Sequence, residues 1–94
     1  MKSYFVYILA SKTNGTLYIG VTSNIQRRLE EHINGLAESF TSKYGLKRLV
    51  YLEEYQNPTD AIKREKQLKN WKRLWKLNLI NAQNPAWKDL SEDI

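Results

Sequence analysis

Tyr4-Phe5-Val6-Tyr7-Ile8-Leu9-Ala10, then Ser11-Lys12-Thr13-Asn14-Gly15, then Thr16-Leu17-Tyr18-Ile19-Gly20-Val21-Thr22: this stretch decides the fold. The first run is aromatic and β-branched, and apolar at consecutive positions. A strand apolar on both faces lies in the middle of a sheet. The second run is also β-prone, and Asn14-Gly15 before it is the strongest short hairpin signal a sequence offers. An antiparallel hairpin over 4–10 and 16–22 follows. Gly20, inside the second strand, marks a place where another group approaches the backbone.

Downstream, Ser23 and Gln26 have the spacing of a capping box and predict a helix from Asn24 to Ile33, with Gly35 as its stop. Ile25, Leu29 and Ile33 mark its buried side. A short helix is expected within Glu38 to Tyr44, and a third strand over Leu49 to Tyr55. Asn57-Pro58 reads as an N-cap with proline at the first helical position. The helical pattern continues to Asn81, with Ala61, Leu68, Trp75 and Leu79 on one stripe. Lys72 would fall on that stripe too, so a break is expected near Asn70-Trp71. Trp71 and Trp75 are expected as core anchors, with base-stacking platforms as the alternative, and Trp87 as the anchor of a short docked tail. The order hairpin, helix, strand, helix gives an α+β domain with a small antiparallel sheet, one domain over 1–94.

The 94 residues, 41% hydrophobic and 27% charged, match one small globular domain. Fifteen Lys and Arg against ten Asp and Glu leave a net charge of +5, which favours a polyanionic partner. The absence of cysteine excludes disulfide frameworks, thiolate zinc sites and cysteine nucleophiles. One histidine, His32, excludes a multi-histidine metal site. The apolar run Tyr4–Ala10 is far too short to span a membrane and lacks a signal-peptide cleavage site. The chain reads as a reduced, cytoplasmic protein with no membrane partner.

Several polar residues stand in unusual places. Arg28 and His32, four apart, share a face of the first helix beside its apolar stripe; they are either a solvated edge or a chemical pair. Glu65 falls on the apolar stripe of the long helix, where a carboxylate is costly unless paired or bound to a cation. It is either half of a buried ion pair, with Arg28 as a candidate partner, or a functional carboxylate. One Glu is too few for a closed structural metal site, but suits a Mg²⁺ that keeps most of its water and borrows phosphate oxygens. Seven of the fifteen basic residues crowd into one stretch: Lys63, Arg64, Lys66, Lys69, Lys72, Arg73 and Lys76. They form either a phosphate-binding face or a solvated helix surface. Tyr7 and Tyr18 come close across the hairpin if its register follows the turn.

Together these residues resemble the GIY-YIG nuclease superfamily. Val6-Tyr7-Ile8 stands where that superfamily has its first motif, with V-Y-I in place of G-I-Y as in its small stand-alone members. Tyr18-Ile19-Gly20 matches the second motif. Arg27-Arg28-Leu29-Glu30-Glu31-His32 resembles its catalytic helix, and Ala61 to Lys69 its metal-binding helix. The tail Asn84-Pro85-Ala86-Trp87-Lys88-Asp89-Leu90 is similar to the end of the small uncharacterised bacterial members. The ordered set Y…Y-I-G…R-x-x-x-H…E covers Ser3 to Leu90.

The resemblance implies a small three-stranded antiparallel sheet flanked by helices, and metal-dependent endonuclease hydrolysis of nucleic-acid phosphodiesters, DNA first among them. Specificity would be low, since the chain leaves no room for a separate recognition domain. Glu65 would hold one Mg²⁺ or Mn²⁺, and Arg28 would stabilise the transition-state charge. Tyr7 would accept the proton of the attacking water, with Tyr18 and His32 orienting the reactants; an exchange of roles between Tyr7 and His32 stays open. An Asn after the carboxylate is also implied, with Asn70, Asn78, Asn81 and Asn84 as candidates. The alternative is a non-catalytic nucleic-acid-binding module that keeps the fold and the basic helix. A third is a structural partner subunit.

Overall fold

A computed structural model of the chain, described for residues 2–35 and 44–94, places β1 (Tyr4–Ala10) at the centre of a three-stranded sheet. β2 (Leu17–Thr22) and β3 (Arg48–Tyr55) pair with it antiparallel on either side, in the order β2-β1-β3. Central placement explains why β1 is apolar at successive positions: both its faces are covered. The hairpin closes through Ser11 N–H to the Thr16 carbonyl at 3.1 Å, with Asn14 in the left-handed region at φ 56°. The short helix expected within Glu38 to Tyr44 falls largely outside the described residues.

Alternation along the strands builds two cores. Val6, Ile8, Ala10 and Ile19 face α2 (Pro58–Asn70) and α3 (Arg73–Gln83), packing with Ala61, Leu68, Ile80 and Trp87. Tyr7 and Leu9 face the opposite way, onto Ile25 and Leu29 of α1 (Ile25–Ile33) and onto Leu46 and Leu49. A bulge opposite Ile8/Leu9 turns two consecutive residues of β3, Val50 and Tyr51, to the α2 side. Asn84 serves this irregularity. Its Nδ2 donates to the Val50 carbonyl at 3.0 Å and to the Lys88 carbonyl at 2.9 Å, while its Oδ1 accepts from Lys88 N–H at 3.0 Å.

The helix boundaries correct the sequence reading in detail. Asn24, not Ser23, caps α1: its side chain accepts from Arg27 N–H at 3.1 Å. The expected break falls at Trp71 and Lys72, both extended, with ψ 148° and 149°. The break resets the helical phase, so the stripe projected from Ala61 does not continue. Trp71 packs against the core, but Trp75 is 51% exposed and is no core anchor; Ile80 is buried in its stead. Trp87 is buried as expected, with Nε1 donating to Asn81 Oδ1 at 2.7 Å. Among the described residues, no helix is long and apolar enough to cross a membrane.

Candidate functional site

The site begins with Tyr7. It sits on β1 directly opposite Gly20 of β2, and a Cβ at Gly20 would collide with the Tyr7 phenol. That is the close approach the glycine foretold. The phenol runs across the space Gly20 leaves and reaches α1. There Arg28 Nε donates to the Tyr7 oxygen at 3.2 Å, and His32 Nε2 lies 3.2 Å from the same oxygen. With Nε2 unprotonated, the phenol donates to it; with Nε2 protonated, the imidazole donates. The four-residue spacing of Arg28 and His32 puts both on the helix face toward Tyr7.

The Tyr18 ring completes the group, 6.3 Å from the Tyr7 ring and 5.5 Å from the imidazole, tilted to both. His32 is buried behind these rings at 2% exposure. The hydrogen bond to Tyr7 holds the Arg28 guanidinium above its ordinary pKa, against the opposing effect of burial. Arg28 Nη1 also reaches Glu31 Oε1 at 3.3 Å. Among the described residues no buried side-chain nitrogen or oxygen lacks a partner.

In front of these groups opens a cleft of about 480 Å³. α1 and α2 pack on opposite faces of the sheet, and the cleft spans the β2 edge between them. Tyr7, Tyr18 and Gly20 floor it, Arg27, Arg28 and Glu31 line the α1 side, and Glu65 and Lys69 stand on the α2 side. The structure therefore brings Tyr7, Tyr18, Arg28 and Glu65 to one cavity, with His32 behind. Glu65 is nearly buried, its side chain 13% exposed, and it does not pair with Arg28. Its partner is Lys69, with Nζ 3.0 Å from Oε2.

The cleft offers two carboxylates, Glu31 and Glu65, to a divalent cation. No group of three His, Cys, Asp or Glu stands together among the described residues. Mg²⁺ does not require one: it is commonly held by one or two carboxylates, waters and substrate phosphate oxygens. Glu65 and Glu31 are the cleft carboxylates that could hold one, and each is engaged by a cation of the chain, Glu65 by Lys69 and Glu31 by Arg28. None of Asn70, Asn78, Asn81 or Asn84 lines the cleft; Asn24 does. Asn81 and Asn84 hold the tail instead.

The basic residues divide by what they touch. Arg64 grips Glu53 of β3 with Nε 3.0 Å from Oε1 and Nη2 3.0 Å from Oε2. Arg73 Nη2 donates to the carbonyls of Asn14 at 2.7 Å and Gly15 at 2.6 Å. Lys63, Lys66 and Lys72 are exposed, Lys69 stands in the cleft, and Lys76 is half-buried. Arg27 and Glu31 were not among the expected site residues. Their i, i+4 spacing was a visible signal of a charged helix face.

Residues 3–78 match the GIY-YIG catalytic domain. UPF0213 proteins of Staphylococcus aureus strains Mu3 and Mu50 are each 38% identical over 83 residues, covering 88% of this chain and all of theirs. The solution NMR structure of a UPF0213 protein from Bacillus halodurans superposes with a TM-score of 0.59 at 26% identity, covering 96% of this chain and 95% of that one. With the paired tyrosines, the Arg-His helix and the helix-borne carboxylate around one cleft, and a match across most of its length, this chain belongs to the GIY-YIG family.

Proposed function

We propose that the cleft binds the phosphodiester backbone of a nucleic acid, DNA first among them, and hydrolyses it with a divalent cation held at Glu65. The observation that carries this reading is the Tyr7 oxygen, 3.2 Å from both Arg28 Nε and His32 Nε2 on a cleft that Glu65 also lines. Arg28 lies where a phosphate on the cleft floor would gain negative charge, and a preorganised donor acts most strongly there. For Tyr7 to take a proton from an attacking water it must act as a phenolate, the form that a neighbouring cation such as Arg28 would have to hold. His32 fixes the phenol's direction from behind. The N-terminus of α1 opens on the cleft at Asn24 and adds the positive end of a helix dipole. Mg²⁺ or Mn²⁺ would supply a Lewis acid for the scissile phosphate.

A second reading, binding without cleavage, is favoured by the Lys69–Glu65 ion pair. With Glu65 neutralised from within the chain, the cleft presents Arg27 and Arg28 to a phosphate, and binding needs nothing the chain does not supply. This reading asks less of the residues present and is the better supported of the two. The family match needs no metal, and no group of three His, Cys, Asp or Glu stands together among the described residues. The deciding experiment incubates wild type and Glu65→Ala with plasmid, branched and single-stranded DNA, with Mg²⁺ or Mn²⁺ and with EDTA. Metal-dependent cleavage lost in Glu65→Ala establishes hydrolysis. Salt-sensitive binding by wild type with no cleavage of any substrate establishes the binding module.

A further inference from the structure

Trp75 is a large aromatic residue left half in water beside a strongly basic stretch of the surface. Burial is the ordinary fate of such a ring, and the chain does not merely leave this one over. Trp71 and Trp75 meet edge to face, with centroids 6.0 Å apart at 84°. Trp71 is itself fixed: it packs on the core, and the Arg64 guanidinium lies 5.1 Å over its ring. Arg64 is in turn gripped by Glu53. The Trp75 ring thus rests on a rigid support reaching back to β3, which lowers the entropy cost of using it as a contact surface.

Its surroundings identify the ligand's charge. Lys72 Nζ lies 5.9 Å over the Trp75 ring. Lys72 caps α3 just ahead of the ring, its carbonyl accepting from Trp75 N–H at 3.0 Å and from Lys76 N–H at 3.3 Å. Lys76 Nζ reaches the Lys69 carbonyl at 3.5 Å, tying the start of α3 to the end of α2, where the Lys69 side chain lines the cleft. The one acid between Lys63 and Lys76 is Glu65, paired with Lys69 in the cleft. Two copies of such a face would repel, which argues against self-association. A duplex keeps its base faces stacked inside and would use the lysines but not the ring. An unpaired strand uses both: phosphates against lysine, a base face against indole.

We infer that Trp75, flanked by Lys72 and Lys76, is a base-stacking platform for an unpaired nucleic-acid strand that leads into or out of the cleft. This rests on the nucleic-acid reading above and narrows its substrate to single-stranded, frayed or branched molecules.

The test measures binding at low salt in EDTA, so that nothing is cut, using wild type, Trp75→Ala and Trp75→Phe. The probes are an oligo-dT strand, an abasic strand of equal length, a blunt duplex, polyglutamate and anionic lipid vesicles. Trp75→Ala is expected to weaken oligo-dT binding about tenfold, as removal of one stacked base does. It should change abasic-strand and duplex binding by less than about twofold, because the lysines still meet the phosphates. Trp75→Phe should recover most of the affinity. An equal weakening on the abasic strand, or none on oligo-dT while duplex binding stands, overturns the platform alone. Trp75-dependent binding confined to polyglutamate or vesicles also overturns it, assigning the patch to an acidic protein or a membrane surface. Wild type that binds no nucleic acid at all overturns both this inference and the reading beneath it.

Discussion

Arg28 Nε donates to the Tyr7 phenol oxygen at 3.2 Å, tying the first helix to the middle of the central strand. The bond fixes a cation whose charge does not vary over any working pH, since the same contact raises an already high pKa. It also fixes the direction of the phenol, which His32 approaches from the other side. A planar guanidinium can do this while its Nη1 also reaches Glu31 Oε1 at 3.3 Å; a lysine ammonium has no equivalent geometry.

Arg28→Ala is therefore expected to lower turnover by about 10²–10³ while changing ground-state affinity far less, because the missing charge matters most as the phosphate becomes more negative. Arg28→Lys should recover affinity but little turnover. Single-turnover cleavage with excess enzyme, read beside equilibrium binding in EDTA, separates the two effects. Equal reductions in both would make Arg28 an ordinary phosphate contact.

Gly20→Ala gives a sign test. In an ordinary strand interior, alanine is better than glycine by about 0.5–1 kcal/mol. Here the added Cβ would meet the Tyr7 phenol, so the ring must shift and its bonds to Arg28 and His32 must lengthen. The expectation is a destabilisation of about 1–3 kcal/mol, the usual range for overpacking, with loss of whatever activity Tyr7 supports. Urea denaturation reads it; a rise in stability would mean that the phenol does not occupy this space.

These relationships were legible in the sequence to different depths. The hairpin, the central strand and the Arg28-His32 face come from local chemistry: β-branched runs, an Asn-Gly turn, a four-residue spacing. Gly20 signalled a close approach, and only the Tyr7 pairing across the hairpin says to what. Trp75 was misplaced because one helical phase was carried across a break, and the extended residues at Trp71 and Lys72 reset it. Tyr51, Glu53 and Tyr55 alternate along one strand and so share a face. Their partner Arg64 lies on another element, and nothing local announces it. The cleft itself could not be read, because it spans the β2 edge between helices on opposite faces, and such an edge is a product of the whole topology.

The Glu53 cluster gives stability a pH dependence. Burial pushes the Glu53 carboxyl up, but hydrogen bonds from Arg64, Tyr51 and Tyr55 outweigh it, and the net shift is down. Such a group stabilises the fold above its unfolded pKa, about 4.3, and the benefit fades as pH falls through the lower folded value. Tyr51 is shifted upward by burial and by Glu53. Its contribution is intact below its unfolded pKa, about 10, and declines as pH rises beyond it. Melting temperature should therefore fall below about pH 4.3 and again above about pH 10. Glu53→Gln should cost about 2 kcal/mol at neutral pH, the worth of hydrogen bonds to a charged group, and should flatten the acid limb. An acid limb of unchanged slope in this variant would assign acid sensitivity to other carboxylates.

Lys69 makes the last prediction, because it should act in opposite directions on two ligands. Its ammonium lies 3.0 Å from Glu65 Oε2, and its side chain is 51% exposed, so the pair is held partly in water. A pair of that kind is worth about 0.2–1 kcal/mol. A divalent cation at Glu65 must displace or share the ammonium, whereas a phosphate in the cleft gains from the lysine. Lys69→Ala should accordingly tighten Mn²⁺ binding by about two- to fivefold, followed by the electron paramagnetic resonance of free Mn²⁺. In EDTA the same variant should bind duplex DNA more weakly, with the log–log salt slope flatter by about 0.9, as expected when one phosphate fewer is neutralised. Glu65→Ala should abolish the Mn²⁺ signal change and leave DNA binding intact or tighter, since a negative charge leaves the cleft. Melting curves in EDTA must accompany it, because Glu65 is nearly buried and its removal leaves Lys69 without a partner carboxylate. If Lys69→Ala changes neither Mn²⁺ affinity nor the salt slope, Lys69 is part of a solvated helix face, and the α2 wall of the cleft contributes Glu65 alone.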